Sequence, residues 1–166
     1  MRKLLETSLY LKPVWKYLRK PFAFDCMDKW LATPGIRILD VGCGNHSPSV
    51  TKMCYPACEY YGVDRTQEYN LSLLDLTSMD KFYEIDLSSP VNISSAIPDN
   101  FFDCIIMSHI IEHLFQGKEI LKEFIKKLKT NGIIYLEFPG VRSLTLPTFK
   151  RPFCRGCFNF YDDVML

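Results

Sequence analysis

This chain has no apolar run near the roughly 20 residues that a membrane-spanning helix needs, so no such span is expected. It has little that marks export. Met1-Arg2-Lys3-Leu4-Leu5 imitates the start of a signal peptide, but Glu6 and Lys12 interrupt the apolar stretch and no small-residue cleavage site follows. A cytoplasmic location is the expectation. No disulfide framework is legible either, because the seven cysteines are odd in number and irregularly spaced, as free thiols are. Cys154-Arg155-Gly156-Cys157 is the only CxxC, and Cys54 with Cys58 would complete four zinc ligands only through a loose CxxxC spacing. Buried or half-buried thiols are the plainer reading, and no metal is expected. There is no large net charge. At +1 overall, the molecule has no general attraction for nucleic acid. There is also no internal repeat and no low-complexity stretch.

What is present fits one globular domain: 166 residues, 48% hydrophobic and 23% charged. The charge is unevenly spread. Arg2, Lys3, Lys12, Lys16, Arg19 and Lys20 stand against Glu6 alone, so residues 1–20 carry +5 and the remainder −4. Leu11, Trp15 and Leu18 share the helical spacing of the lysines. Such a segment lies on a membrane or acidic surface, or packs its apolar side on the domain with its basic face solvated; the second is favoured. Residues 1–33 read as a helical lead-in broken at Pro13 and Pro21.

After Pro34-Gly35 the pattern alternates. Ile36–Val41, Glu59–Asp64, Phe82–Asp86, Phe102–Met107 and Ile133–Phe138 read as buried strands. A short helix is expected through Val50 to Met53. The clearest helix is Gln116–Lys129, with its apolar stripe Ile120, Leu121, Phe124, Ile125 and Leu128, and with Asn131-Gly132 as its cap. Strands separated by helical crossovers imply a parallel sheet, an α/β fold whose ligands bind beyond the carboxyl ends of the strands.

Three aspartates fall at three consecutive strand ends. Asp40 precedes Gly42-Cys43-Gly44, a turn in which backbone N–H groups can approach a ligand closely. A carboxylate there would repel a pyrophosphate and attract an ammonium group. Asp64, 22 residues after Gly42, can accept from both hydroxyls of a ribose. Asp86 can accept from an adenine amino group. Taken singly, each is as well read as a surface or helix-capping residue.

The segment Ile38-Leu39-Asp40-Val41-Gly42-Cys43-Gly44 resembles the first motif of class I S-adenosylmethionine-dependent methyltransferases, and Gly62-Val63-Asp64 their second. Phe101-Phe102-Asp103-Cys104-Ile105-Ile106-Met107-Ser108-His109-Ile110-Ile111-Glu112-His113-Leu114 is similar to the fourth strand and EHL segment of their small-molecule, bacterial branch. Leu128-Lys129-Thr130-Asn131-Gly132-Ile133-Ile134 resembles the approach to their fifth strand. The resemblance covers about residues 35–140. It implies a Rossmann-like parallel sheet flanked by helices and S-adenosyl-L-methionine as cofactor. It implies that Asp40 and the Gly42, Cys43 and Gly44 backbone hold the methionine part. Asp64 would take the ribose, with Arg65 beside the adenine; Asp86 and Leu87 would bound the adenine; Ser108 and His109 would lie near the sulfonium. His109, Glu112 and His113 are the candidates for an acid–base role, and His109, directly after the fourth strand, is best placed. Tyr61, Tyr83 and Tyr135 read as core residues.

The chain departs from that family twice. His46 stands where a third glycine is common, so Asn45-His46-Ser47-Pro48 is expected to open the helix with a Ser or Asn cap. The family sheet has seven strands ending in an antiparallel hairpin, whereas about five are legible here. The expected organisation is a lead-in over 1–34, a cofactor-binding domain over 35–140 and a tail over 141–166, apparently cut short after the fifth strand. Either that tail covers the fifth strand, or an open edge invites a homodimer. The acceptor is expected to be a small molecule or glycan precursor. The alternative is a degenerate module that is inactive or needs a partner chain to complete its sheet. A nicotinamide enzyme needs a third glycine where Ser47 stands and leaves Asp40 unexplained. No Asn-Pro-Pro-Tyr-type element for a flipped base follows the fourth strand, so no nucleic-acid acceptor is expected.

Overall fold

The computed structural model describes residues 22–68, 70–139 and 153–159. The basic segment 1–20, both lead-in prolines and most of the tail lie outside them. Among the described residues the elements run in the order α1 (Phe22–Leu31), β1 (Arg37–Val41), α2 (Ser47–Cys54), β2 (Glu59–Asp64), α3 (Leu73–Ser78), β3 (Lys81–Glu84), α4 (Pro90–Ala96), β4 (Phe102–Ser108), a 3-10 turn (Ile111–His113), α5 (Gly117–Lys127), β5 (Leu128–Pro139) and β6 (Phe153–Asn159). The strands form one sheet in the order β3-β2-β1-β4-β5-β6. The first five are mutually parallel, as their alternation with helices requires. The order reverses at β1, which lies between β2 and β4.

Residue alternation along each strand divides the core between the two faces of the sheet. Ile38, Tyr60, Cys104, Ile106, Ile133 and Tyr135 pack with Phe24, Met27 and Leu31 of α1. Leu39, Val63, Ile105, Met107 and Ile134 pack with Ile93 of α4 and with Ile120 and Phe124 of α5. Both faces are covered, which is why the strands read as near-continuous apolar runs. Tyr83 and Tyr135 are buried in this core, and half-buried Tyr61 meets Phe101 and Phe102 edge-on.

Four boundaries differ from the sequence pattern. β3 stops at Glu84, so Asp86 lies in the loop beyond it. α2 is longer than expected, starting at Ser47. α5 ends at Lys127 and runs directly into β5, because Leu128 is already extended and paired with Phe102. Asn131-Gly132 therefore lies inside β5 and caps nothing; Asn131 takes a left-handed φ of 66° beside a register shift in the ladder. The fourth difference is β6. Residues 153–159, placed in a tail by their sequence, pair antiparallel along the outer edge of β5, Phe153 opposite Pro139 and Asn159 opposite Ile133. So the tail covers the fifth strand, and the sheet has six strands where about five were legible. Among the described residues, the edge strands of this sheet are β3 and β6.

The turn that leaves β1 sets the position of the site. Gly42, Asn45 and His46 all have positive φ, at 77°, 59° and 66°. Asparagine and histidine tolerate that region better than most side chains, which is how the turn forms without a third glycine. Neither Ser nor Asn caps α2. Its N-cap is His46, and the cap bond comes from another helix: the Asp75 carboxylate of α3 accepts the Ser49 N–H at 3.3 Å and contacts His46 Nδ1 at 2.7 Å. The same carboxylate closes a capping box on α3, accepting the Ser72 hydroxyl at 2.5 Å and the Ser72 N–H at 2.8 Å. Asp75 is wholly buried. Burial alone would raise its pKa, yet the bonds from Ser49, Ser72 and His46 hold it well below the usual carboxylate range.

Two outcomes follow for stability. Asp75→Asn replaces an acceptor by a donor facing backbone N–H groups, and should destabilise the chain by about 2–3 kcal/mol in urea denaturation. Since the folded carboxyl titrates below its unfolded value, this contribution is complete above about pH 5 and is lost as pH falls further; a parent and an Asn variant equally stable at neutral pH would contradict it. Gly62→Ala should also destabilise, by about 1–3 kcal/mol. A Cβ there would lie 2.6 Å from Cys43 Sγ and 2.7 Å from Met79 Sδ. An unchanged unfolding midpoint would show that those sulfurs yield freely.

Candidate functional site

Two cavities open at the carboxyl ends of the strands, where the sheet order reverses. The first, of about 420 Å³, lies over β1 and β4 and is walled by Asp40, Gly44, Ser47, Ser108 and His109, with Phe24 of α1 on its apolar side. The second, of about 350 Å³, lies over β2 and β3 and is walled by Asp64, Arg65, Asp86, Leu87, His113 and Phe115. Both share Gly42 and Ile110. The Ile110 side chain lies directly on Gly42, and a Cβ at Gly42 would come within 2.1 Å of it. The two cavities are therefore adjoining arms of one groove, divided at Gly42 by the Ile110 side chain packed on it.

The structure brings most of the sequence-derived residues to this groove. Asp40, Gly42, Gly44, Ser108 and His109 line one arm; Gly42, Asp64, Arg65, Asp86, Leu87 and His113 line the other. Cys43 is not among its walls. Its thiol is buried beside Gly62, its N–H donates to the Val63 carbonyl at 3.2 Å, and burial pushes its pKa up. The Gly42 N–H goes to the same carbonyl at 2.7 Å, so the Gly42 and Cys43 amides are engaged within the fold, while Gly44 lines the first arm. Asp64 and Asp86 also make local bonds, to the N–H groups of Arg65 at 2.7 Å and Ser88 at 3.0 Å. They thus brace their loops as well as line the groove.

Asp40 is 6% exposed and projects from β1 on the face that α1 and α2 cover. Its Oδ2 accepts the Tyr60 hydroxyl at 2.5 Å. Burial pushes its pKa up to about 6, against hydrogen bonds from Tyr60 and Ser47 that hold it down; the Asp64 charge adds to the rise. A buried carboxylate of this kind favours a cationic partner.

On the wall of the first arm, His109 follows β4 with a left-handed φ of 57°. Its N–H donates to the Glu137 carbonyl at 2.7 Å. Its Nδ1 is 3.5 Å from Glu112 Oε1 and its Nε2 is 3.6 Å from Glu137 Oε1. Glu137 is held in turn by the Tyr135 hydroxyl at 2.7 Å. Glu112 stands beside His109 without walling either cavity, and His113 walls the second arm.

The sequence reading missed Tyr60, Asp75, Ile110 and Glu137. Ser72-Leu73-Leu74-Asp75 has the spacing of a capping box, a signal that was available. Tyr60 alternates with Gly62 on one face of β2 and so falls diagonally from Asp40, which is legible only once the register of β1 and β2 is known. Among the described residues, no group of His, Cys, Asp and Glu is arranged to hold a metal. The CxxC lies in the extended strand β6, where a zinc knuckle needs a tight turn. Among the described residues, no helix is long and apolar enough to cross a membrane.

Comparison with known proteins agrees with this architecture. An uncharacterized protein of Methanocaldococcus jannaschii is 26% identical over 129 residues, covering 77% of this chain and 34% of its own length. An S-adenosylmethionine-dependent methyltransferase from Archaeoglobus fulgidus superposes with a TM-score of 0.54 at 22% identity, over 73% of this chain and 52% of that one. The YcgJ protein of Bacillus subtilis gives 0.52 at 21% identity, over 68% and 48%. The chain thus spans about a third of the curated relative's length and about half of each of these solved structures. A family model described as a methyltransferase domain matches residues 15–162, most of the sequence. With its parallel sheet, its reversal at β1 and its aspartate-lined groove, the chain belongs to the methyltransferase-domain family.

Proposed function

We propose that this chain binds S-adenosyl-L-methionine in the groove and transfers its methyl group to a small-molecule or glycan-precursor acceptor. The observation that carries the reading is the alignment of Asp40, Asp64 and Asp86 along one groove at the carboxyl ends of the strands. Asp40 faces the methionine ammonium, and the Gly44 amide its carboxylate. Asp64 accepts from the ribose hydroxyls, while Asp86, Leu87 and Arg65 bound the adenine. When bound, the cofactor supplies an activated methyl on a sulfonium leaving group. The chain's task is then alignment and exclusion of water, which can account for roughly 7–11 kcal/mol of a transfer barrier.

His109, on the wall of the first arm, takes the proton of an acceptor hydroxyl or amine. Glu112 and Glu137 flank the imidazole and favour the positive charge it gains. His113 belongs to the adenosine arm. The alternative of a degenerate module, inactive or dependent on a partner chain, rested on two missing strands, and β6 along the edge of β5 supplies one of them, which favours the first reading.

Calorimetric titration with S-adenosylmethionine and, separately, with NAD tests the cofactor. Micromolar binding of the first alone is expected; binding of NAD alone would overturn the reading. Asp64→Ala should weaken S-adenosylmethionine binding by about 1–3 kcal/mol, as loss of hydrogen bonds to a charged group does. Unchanged affinity would remove Asp64 from the site. His109→Ala should lower turnover far more than cofactor affinity, followed as S-adenosylhomocysteine release across an acceptor panel. Equal turnover in variant and parent would end its role as base.

A further inference from the structure

Asp40 is held from behind. On the face of the sheet covered by α1 and α2, Tyr60 lies two residues before Gly62, and Gly62 is the register partner of Asp40. Cys43 and Met79 fill the space over Gly62, and the next residue on that face, Tyr60, reaches diagonally across to β1. Its ring is wholly buried and its hydroxyl meets Asp40 Oδ2 at 2.5 Å. A fully buried phenol needs a partner for its hydroxyl, and here that partner is a carboxylate lining the groove.

We propose that Tyr60 is a positioning residue for the cofactor. Its hydroxyl fixes the Asp40 carboxylate toward the first arm of the groove and makes capture of the cofactor's ammonium depend on proton loss from Asp40. This rests on the reading of that arm as the methionine half of the cofactor site.

The surroundings of Asp40 leave few other controls. Tyr60 and Asp64 face it from β2, Ser47 from the start of α2 and the neutral Cys43 thiol from the turn. β4 contributes Ile106 and Ser108 and α1 contributes Phe24, all uncharged, while His109 is the other titratable group lining the cavity. With its carboxyl raised to about 6, Asp40 changes charge close to neutrality. Below that pH the protonated acid offers an ammonium no counter-charge. Above it the carboxylate attracts the ammonium, and the tyrosine hydroxyl stabilises the charged form. Removing the hydroxyl shifts proton loss to higher pH.

The test uses two ligands on the full chain. S-adenosylmethionine carries the ammonium; methylthioadenosine has the adenosine half and no amino-acid part. In the parent, affinity for S-adenosylmethionine should rise with pH through about 6, and affinity for methylthioadenosine should stay flat. Tyr60→Phe should weaken S-adenosylmethionine about tenfold at neutral pH. It should also move the rise to higher pH and leave methylthioadenosine unchanged. Equal weakening of both ligands would mean a structural role only, and overturns the proposal, as does a variant that matches the parent. A second measurement needs no tyrosine variant. In the parent labelled at tyrosine Cζ, one resonance should follow the Asp40 titration and cease to do so in Asp40→Asn; no such resonance overturns the proposal. A parent that binds neither ligand would fail the cofactor reading itself, and this inference with it. A parent that binds S-adenosylmethionine with no pH dependence sinks this inference alone.

Discussion

A carboxylate shut off from water ties together the parts that shape the groove. Asp75 bonds to the start of α2, to His46 in the turn after β1, and to the start of its own helix. A buried charge is tolerable only when its oxygens are fully engaged, so these three segments are positioned together or not at all. The left-handed backbone at Asn45 and His46 is held by the same contact. With that turn fixed, Gly44 and Ser47 face the groove and Asp40 is framed on one side by α2.

How much of this the sequence disclosed depends on the range of the interaction involved. The parallel sheet was legible because burial on both faces makes apolar runs, and the aspartates because strand ends are legible. Asp40, Asp64 and Ser108 reach the groove as their positions implied, and Asp86 reaches it from the loop beyond β3. Cys43 does not, because its N–H and thiol serve the packing of β1 on β2. The cap expected at Asn131 fails because strand pairing of Leu128 overrides a local helix stop. Helices α3 and α4 are too short for a helical period to show. β6 has little pattern of its own, and pairing along the edge of β5 specifies it. Tyr60 and Glu137 are visible only through contacts across strands, which no local spacing encodes.

The groove carries an electrostatic conflict that the fold accommodates. Asp40 loses hydration to line the site, and Tyr60 and Ser47 restore only part of it, which is why its carboxyl remains raised. Full hydrogen bonding of the kind given to Asp75 would leave Asp40 no capacity for a ligand. The two aspartates thus differ in kind: one is satisfied by the fold, the other is only partly hydrogen-bonded and lines the cavity. Local rules of polar satisfaction are commonly relaxed at sites of function.

β6 has a consequence for how the chain is made. β5 lies inside the finished sheet, next to the edge strand β6, but until residues 153–159 arrive its outer edge is a bare row of amides and carbonyls. Those residues follow β5 in the chain, so on the ribosome they emerge after it, at about 5–20 residues per second. For that interval each nascent chain offers a sticky strand edge to its neighbours. Molecules translated close together on one message are then exposed to mispairing, and prompt arrival of β6, or a chaperone that shields the β5 edge until then, limits it.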